Sequence, residues 1–373
     1  MIFSIFLLIF SQFSFVETQD APPAAGGGGS GGKVSGCFVA TWAVTGGTFD
    51  PADYECGCTH VYVAFAKPDP ATGQVQPFNE TDKEAYKKII EGIKKKNPDV
   101  KVLLSVGGGT VKDEDWKQVA NKSPEFAKSA VEFAKANGFD GVDVDWEFQV
   151  PPERTAEDKQ KFTKLMCDLK QEAKSKDMLV TASVMQLPST VKSAYDGKAL
   201  SECVDWVNVM TYDYNGAWSN TIGANSSIED VKASLKAWED VGMPKDKITG
   251  GVPFYGRGWK TAGPQQLGGQ GTGPSDPPKA GGEAGVMAYT DTCKEEPQTY
   301  DEKTKSVTIS TADKFVTTEN PQSIEAKAKE ISQEYKGVFA WEVSQDDTKG
   351  DKCGKGKSPL LKAMSKGAGA GGC

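Results

Sequence analysis

The chain has 373 residues, a formal net charge of −8 and a single histidine, His60. Its length suits one large domain or two ordinary ones. The acidic balance argues against a nucleic-acid-binding protein, which needs a basic face for phosphates. One histidine also disfavours His-rich metal sites and Ser-His or Cys-His nucleophile systems. We therefore expect no metal, no cofactor and no nucleic-acid partner.

The N-terminal segment MIFSIFLLIFSQFSFVETQD has its first charged side chain at Glu17. Its apolar run is short and interrupted for a membrane span, so we interpret residues 1–20 as a secretory signal peptide, with an uncleaved anchor as the alternative. Residues 21–32, APPAAGGGGSGG, are typical of a flexible linker. The folded domain is predicted to begin at residue 33.

The cysteines also indicate secretion. There are eight, an even number, and none forms a CxxC pair of the zinc type. Asn79, Asn121 and Asn225 each begin a glycosylation triplet. We expect a secreted, extracellular monomer with no segment held in a membrane.

Short apolar runs rich in Val, Phe and Tyr alternate with helical patterns along the rest of the chain. The predicted strands are VSGCFVATW, HVYVAFA, VKVLLSVGG, FDGVDVDWEF, LVTASVM, WVNVMTY, ITGGVPFYG and GVFAWEV. Near-continuous apolar strands suit a parallel sheet that is covered on its outer face. Eight such strands with intervening helices predict an α/β fold, a TIM (β/α)8 barrel, with a doubly wound sheet as the alternative.

The chain is longer than a parallel barrel typically needs, about 250 residues, and the surplus falls between strands 7 and 8. We assign 33–257 and 321–366 to the barrel and 258–320 to a small insertion domain, with a disordered loop as the alternative. Residues 367–373 are expected to form a flexible tail.

The run FDGVDVDWEF places four acids in what otherwise reads as a buried strand. Residues two apart share one face of a strand, so Asp143, Asp145 and Glu147 are predicted to line one face. Val142, Val144 and Trp146 occupy the other face and suit the helix layer. The acids should then point into the barrel, with an exposed edge strand as the alternative.

Three carboxylates this close cannot all be ionised cheaply in a partly buried site, so at least one should have a raised pKa. A raised pKa is what a general acid needs at neutral pH. Active sites of TIM barrels lie at the C-terminal ends of the strands, which is where Glu147 falls. The sequence therefore predicts acid–base chemistry at the barrel mouth.

Through this acid run and several other segments, the chain resembles the chitinases of family 18 of the glycoside hydrolases. The acid run DGVDVDWE has the family's D-x-x-D-x-D-x-E pattern. The segments SVGG, MTYD, GVPFYGR and GVFAWEVSQDD occur in the family's order. The resemblance spans residues 34–364 and implies a TIM barrel that carries a small α+β insertion.

The resemblance implies a role for each catalytic residue. Glu147 would protonate the glycosidic oxygen and then activate water. Asp145 would hold the substrate's N-acetyl N–H, and Asp143 would share a proton with Asp145. Tyr212 would hydrogen-bond the acetamido oxygen, and Asp213 a sugar hydroxyl.

Further residues implied by the resemblance surround the substrate. Tyr255 and Arg257 would line the groove, Trp341 would form its apolar floor, and Met210 would pack beside the site. Trp42 and Trp218 would stack on sugars, with core packing as the alternative.

The implied substrate is chitin or chito-oligosaccharide, cleaved with retention through an oxazolinium ion formed by the substrate's own acetamido group. The common glycosidase mechanism with two carboxylates, one of them a nucleophile, does not apply to this family. The alternatives are a chitinase-like lectin, an endo-β-N-acetylglucosaminidase that acts on N-glycans, and a structural secreted protein.

The resemblance also pairs Cys37 with Cys58 and Cys293 with Cys353. A Cys167–Cys203 pair is our own expectation from neighbouring barrel units; Cys56 and Cys373 remain, and Cys56 could replace Cys58. The chain departs from the family at Gly109, where many chitinases have tryptophan, and at Val63, where tyrosine is frequent. These departures bear on the sugar-binding subsites.

Overall fold

The computed structural model describes residues 32–55, 57–147, 155–278 and 281–370. The predicted signal peptide, residues 21–31 of the predicted linker, Cys56 and Cys373 lie outside these ranges. The strands, in chain order, are β1 (Val34–Ala40), β2 (His60–Pro68), β3 (Val75–Pro77), β4 (Lys101–Gly107), β5 (Gly141–Asp145), β6 (Leu179–Val184), β7 (Trp206–Val209), β8 (Ile248–Pro253), β9 (Tyr255–Lys260), β10 (Val286–Ala288), β11 (Gln298–Asp301), β12 (Ser306–Ser310), β13 (Lys314–Thr318) and β14 (Gly337–Trp341).

The α-helices alternate with the barrel strands, as the sequence predicts for a TIM barrel. In chain order they are α1 (Thr41–Thr45), α2 (Asp82–Lys96), α3 (Asp113–Ala120), α4 (Ser123–Ala136), α5 (Ala156–Lys174), α6 (Pro188–Ala194), α7 (Gly197–Ser201), α8 (Ile228–Asp240), α9 (Tyr289–Thr292), α10 (Pro321–Glu334) and α11 (Pro359–Ala368).

Eight parallel strands form a closed barrel. They follow the order β1-β14-β8-β7-β6-β5-β4-β2, and β1 pairs with both β14 and β2, which closes the ring. The short β3 adds to β2 in the antiparallel sense. The predicted TIM barrel is confirmed, and the doubly wound sheet is excluded because an open sheet has two unpaired edges.

A second sheet follows β8 and corresponds to the predicted insertion. Its five strands are antiparallel in the order β10-β9-β13-β12-β11. The disordered-loop alternative is therefore wrong for the described part of this segment. The sheet starts with β9 at Tyr255, earlier than the predicted boundary at residue 258.

Two apolar layers hold the barrel together. Inside the ring lie Phe38, Tyr62, Leu103, Trp206 and Phe339. Outside it, the helices bury the stripes that the sequence predicts, with Phe162, Leu165, Met166 and Leu169 on α5 and Ile228, Val231, Leu235 and Trp238 on α8, all at most 4% exposed. Burial of this apolar area supplies most of the stabilisation.

The segment after β14 is anchored by a buried acid. The Asp346 carboxylate accepts hydrogen bonds from the backbone N–H groups of Leu360 (3.3 Å) and Leu361 (2.9 Å), in the first turn of α11. Such bonds satisfy donors that a helix start leaves unpaired. Helix α11 continues to Ala368, so the predicted tail starts inside a helix, and a boundary at residue 366 is too early.

Disulfides join Cys37 to Cys58, Cys167 to Cys203 and Cys293 to Cys353. These are the three pairs expected from the sequence. The first ties β1 to the segment before β2, and the third ties the insertion to the segment after β14. In the described ranges, no helix combines the length and apolar character that crossing a bilayer requires.

Candidate active site

Strand β5 turns its acids inward and its apolar side chains outward. Asp143 and Asp145 are 0% and 2% exposed and face the barrel interior. On the opposite parity, the Trp146 ring stacks on Trp116 of α3 at 5.4 Å between centroids. The period-two interpretation of the acid run therefore holds, and the edge-strand alternative is wrong, because β5 pairs on both sides.

Asp143 lies in a cradle of polar side chains. Its carboxylate accepts hydrogen bonds from Ser105 Oγ (2.8 Å), Thr181 Oγ1 (2.6 Å), Ser183 Oγ (2.9 Å) and Asn208 Nδ2 (3.3 Å). Burial raises the pKa of Asp143, and these hydrogen bonds oppose the rise. Among the described residues no hydrogen bond joins it to Asp145, so a proton shared between the two stays a prediction.

The cradle follows from strand register. Ser105 of β4 and Thr181 of β6 are the direct neighbours of Asp143 across the two ladders, and Ser183 is the neighbour of Asp145. Thr181, Ser183 and Asn208 were not identified from the sequence. Their parity within the predicted strands is the signal that could have revealed them, since inward positions recur every second residue.

Asp145 has an acceptor atom that the protein leaves free. Its Oδ1 is buried without a hydrogen-bond partner in the described part of the chain. Burial, then the charges of Glu147 and Asp143, raise the pKa of Asp145 well above its usual range. An unpaired buried acceptor is costly, and such an atom at a cavity wall is suited to receive a ligand N–H.

Glu147 follows the end of β5 at the barrel mouth and is half-buried. Burial raises the pKa of Glu147 to about 7; the Asp213 carboxylate adds to the rise and the Gly109 backbone N–H opposes it. A carboxyl group with this pKa is about half protonated at neutral pH, so it can both donate and accept a proton there. Such a group has the protonation behaviour that a general acid requires.

The segment after β7 supplies a phenol beside these acids. Tyr212 is 7% exposed, and its backbone carbonyl accepts a hydrogen bond from Gln186 Nε2 at 2.8 Å. Its hydroxyl has no protein partner within the described ranges. Burial raises the pKa of Tyr212 well above its usual range, which keeps the hydroxyl a donor.

The Asp213 carboxylate, at the barrel mouth, accepts hydrogen bonds from two residues of β9. Arg257 Nε and Nη2 donate to its two carboxylate oxygens at 2.8 and 2.7 Å, and Tyr255 Oη donates to Oδ1 at 2.7 Å. The Asp213 backbone has a positive φ of 59°, which Asp adopts more readily than most residues. Its backbone N–H donates to Asn225 Oδ1 at 2.9 Å.

Aromatic rings form the opposite wall. Trp341 at the end of β14 lies 5.3 Å from Phe38 and 5.7 Å from Phe65 between ring centroids. Trp42 lies 6.3 Å from Trp341 and is 52% exposed, and Trp218 is 63% exposed. Core packing is therefore wrong for Trp42 and Trp218, and both rings are available to a ligand.

These groups surround one cavity of about 230 Å³ at the C-terminal end of the barrel. It is lined by Phe38, Asp145, Glu147, Ser183, Met210, Tyr212, Asp213, Tyr255, Arg257, Glu283, Val286, Trp341 and Gln345. Most of the predicted site residues meet here; Asp143 lies beneath it, and Trp42 beside it. Phe38, Glu283, Val286 and Gln345 were not identified from the sequence.

The two departures from the family pattern fall in different places. Gly109 is exposed, and a Cβ added there would lie 3.3 Å from Glu147 Oε2, so its small size leaves the side of the acid open. Val63 is fully buried in the layer between barrel and helices. It is not among the residues that line the cavity.

Asn225 is not the exposed glycosylation acceptor that its triplet suggests. It is 1% exposed, and its side-chain amide is bound by protein at both ends. Asn79 and Asn121 are both exposed. The triplet is a local pattern, whereas the burial of Asn225 depends on the insertion that packs over it.

Comparisons with known proteins agree with this geometry. Residues 34–346 match the family model for glycosyl hydrolases family 18. An endochitinase of Brugia malayi is 31% identical over 90% of this chain and 72% of its own length. Chitotriosidase-1 of Mus musculus is 31% identical over 88% and 76%. The crystal structure of a Trichuris suis chitinase, TsES1, has a TM-score of 0.83 at 32% identity and covers 90% of this chain and 99% of that chain.

Proposed function

The chain belongs to family 18 of the glycosyl hydrolases, and we propose that it is a chitinase that hydrolyses β-1,4 linkages between N-acetylglucosamine units of chitin or chito-oligosaccharides. One observation carries the proposal. Glu147, with a pKa raised to about 7, shares a cavity with Asp145, whose buried Oδ1 has no partner in the described part of the protein. This pair offers a proton donor and an amide acceptor side by side.

In the first step, Glu147 donates its proton to the glycosidic oxygen as the bond from that oxygen to the anomeric carbon breaks. The substrate's own acetamido oxygen forms a bond to the anomeric carbon, giving an oxazolinium ion. Asp145 accepts the acetamido N–H at Oδ1, and passage of its proton to Asp143 leaves a carboxylate that offsets the positive charge that develops there. Tyr212, a neutral donor, binds the acetamido oxygen and aligns it.

In the second step, the Glu147 carboxylate takes a proton from water, and the water oxygen bonds to the anomeric carbon as the oxazolinium ring opens. Two displacements on one carbon retain its configuration. Family 18 is a substrate-assisted exception to the two-carboxylate rule. A protein nucleophile is therefore not required, which agrees with the scarcity of His in this chain.

Substrate binding is divided between the two walls of the cavity. Trp341 offers an apolar face beneath the sugar, and the exposed ring of Trp42 extends this surface. Asp213 binds a sugar hydroxyl while Arg257 and Tyr255 hold its carboxylate. Aromatic faces and fixed hydrogen-bonding groups together give affinity and orientation.

We also propose that the protein acts outside the cell. The apolar N-terminal segment fits a signal peptide. The disulfides among the described residues support this location, because disulfides persist in oxidising compartments.

The test compares two substrates. The protein is incubated with chitohexaose and, separately, with a high-mannose glycopeptide, and the products are identified by mass spectrometry. We expect shorter chito-oligosaccharides and an unchanged glycopeptide. Cleavage of only the glycopeptide would support an endo-β-N-acetylglucosaminidase, and binding of chitohexaose without cleavage would support a lectin.

A further inference from the structure

Asn225 joins three parts of the molecule through its own polar atoms. Its Oδ1 accepts from the Asp213 backbone N–H (2.9 Å), and its Nδ2 donates to the backbone carbonyl of Tyr255 (3.1 Å). Its backbone N–H donates to Thr317 Oγ1 at 3.1 Å, and its carbonyl accepts from the Tyr214 N–H at 3.1 Å. One buried residue therefore links the segment after β7 to β9 and to β13.

The insertion sheet holds this whole segment. Ile222 packs with Trp259 of β9 and Phe315 of β13 in a separate apolar cluster. Trp259 Nε1 donates to the Ser219 carbonyl at 2.8 Å, and the Ile222 N–H donates to the Gly269 carbonyl at 3.0 Å. The chain that carries Asp213 thus rests on the insertion as well as on the barrel.

Asp213 needs such support. A positive φ is uncommon for a residue with a side chain, and it persists where the surroundings determine it. The hydrogen bond from its backbone N–H to Asn225 fixes the orientation of that peptide. The position of the peptide in turn determines where the carboxylate meets Arg257 and Tyr255.

We propose that Asn225 is a positioning residue through which the insertion sheet fixes Asp213 beside the catalytic acid Glu147. The inference rests on the proposed function for the identity of that acid. It assigns the insertion a part in catalysis, in addition to forming a wall of the cavity. A purely structural role for Asn225 would affect folding without altering the acid.

The charged and titratable groups around Glu147 make this role measurable. Asp145 precedes it on the same segment, and Asp213 faces it from the segment after β7. Tyr212 comes from that same segment, Tyr255 and Arg257 come from β9, and Glu283 comes from the segment before β10. Of these groups, the Asp213 carboxylate raises the pKa of Glu147, so a displaced Asp213 should lower it.

The experiment uses Asn225→Ala in the full chain. We measure the pH dependence of kcat/KM on chitohexaose, and we titrate the Glu147 carboxyl by carbon-13 NMR. Both readouts should shift to lower pH by at least about half a unit, a modest effect for a nearby like charge. Asn121→Ala, at an exposed asparagine of the same triplet type, serves as the matched control and should shift neither.

Asn225→Asp keeps the proposal testable if the alanine variant does not fold. The introduced carboxyl, when protonated, accepts from Asp213 and donates to Tyr255 as the amide does. We expect wild-type behaviour at low pH and loss of kcat/KM as this carboxyl ionises, while the melting temperature stays above the assay temperature.

A folded Asn225→Ala variant with the wild-type Glu147 titration, or an Asn225→Asp variant whose kcat/KM follows the wild-type pH dependence throughout, would overturn the proposal. An inactive wild-type protein would contradict the proposed function instead. The NMR titration would still decide the role of Asn225, because it needs no turnover.

Discussion

Arg257 binds Asp213 through two parallel hydrogen bonds, Nε to Oδ1 at 2.8 Å and Nη2 to Oδ2 at 2.7 Å. Paired bonds of this kind fix direction as well as distance. The pair lies in the cavity wall that also contains Glu147. Asp213 therefore presents a fixed charge to the proposed acid.

This relationship predicts how the activity depends on pH. Glu147 must be protonated to act as an acid, so kcat/KM should fall as pH rises through its pKa of about 7. Asp213→Asn removes a charge that raises this pKa, so the fall should occur at lower pH, by about half a unit or more. The measurement is the alkaline limb of kcat/KM on chitohexaose.

Asp276→Asn is the matched control for that prediction. Asp276 also pairs with a cation, Lys260, at 2.6 Å, but it lies outside the cavity. Its replacement should leave the alkaline limb where it is. An unchanged limb in Asp213→Asn would mean that its charge does not act on Glu147.

We expect one tryptophan, Trp146, to contribute to stability and another, Trp42, to ligand binding. Trp146 is fully buried and stacks on Trp116, so Trp146→Ala should reduce the free energy of unfolding by about 3–5 kcal/mol. Trp42 is 52% exposed, so Trp42→Ala should change that free energy by less than about 0.5 kcal/mol.

Trp42→Ala should instead weaken chitohexaose binding about tenfold, which corresponds to about 1.4 kcal/mol. Calorimetric titration measures the affinity, and denaturant unfolding measures stability. Unchanged binding by the Trp42 variant would remove Trp42 from the substrate site.

A buried ion pair connects the insertion to the barrel. Lys327 of α10 bonds Glu319, and the two side chains are 0% and 1% exposed. Lys327 Nζ also donates to Ser306 Oγ of β12 at 3.1 Å. Removing one partner leaves an uncompensated buried charge.

Lys327→Met alone should therefore cost about 3–5 kcal/mol of unfolding free energy, because Glu319 is left unpaired. Adding Glu319→Leu should recover most of the lost unfolding free energy, since two apolar side chains then replace the ion pair. Urea unfolding of both variants gives the comparison. Equal stability of the single and double variants would show that the unpaired charge is not the cause.

The barrel was predictable because its signals are local and repeated. Each barrel strand is a short apolar run, and the β5 acids keep a strict period of two. The position of Asp143 and Asp145 inside the barrel follows from that period and from the apolar residues opposite them. Such patterns need no knowledge of distant contacts.

The parts that could not be predicted depend on contacts between distant segments. Thr181 and Ser183 donate hydrogen bonds to Asp143 only because β6 pairs with β5 in one particular register. Asn225 reads as a surface triplet until the insertion strands cover it. Glu283 lines the cavity only because of the way the insertion folds, which the sequence does not reveal.

Glu147 is proposed as the proton donor of a chitin-hydrolysing enzyme, and Glu147→Gln tests this role most directly. The amide has nearly the same shape but has no acidic proton to donate. Glu84→Gln, at an exposed position of α2, is the control and should keep the wild-type rate. Calorimetry with chitohexaose shows whether each variant still binds.

The measurement is the initial rate of chitohexaose hydrolysis at neutral pH. We predict that Glu147→Gln binds as wild type does and hydrolyses about 10²–10⁴-fold more slowly, the range for loss of a general acid. A Glu147→Gln variant that cleaves chitohexaose at the wild-type rate would contradict the assignment of Glu147 as the acid.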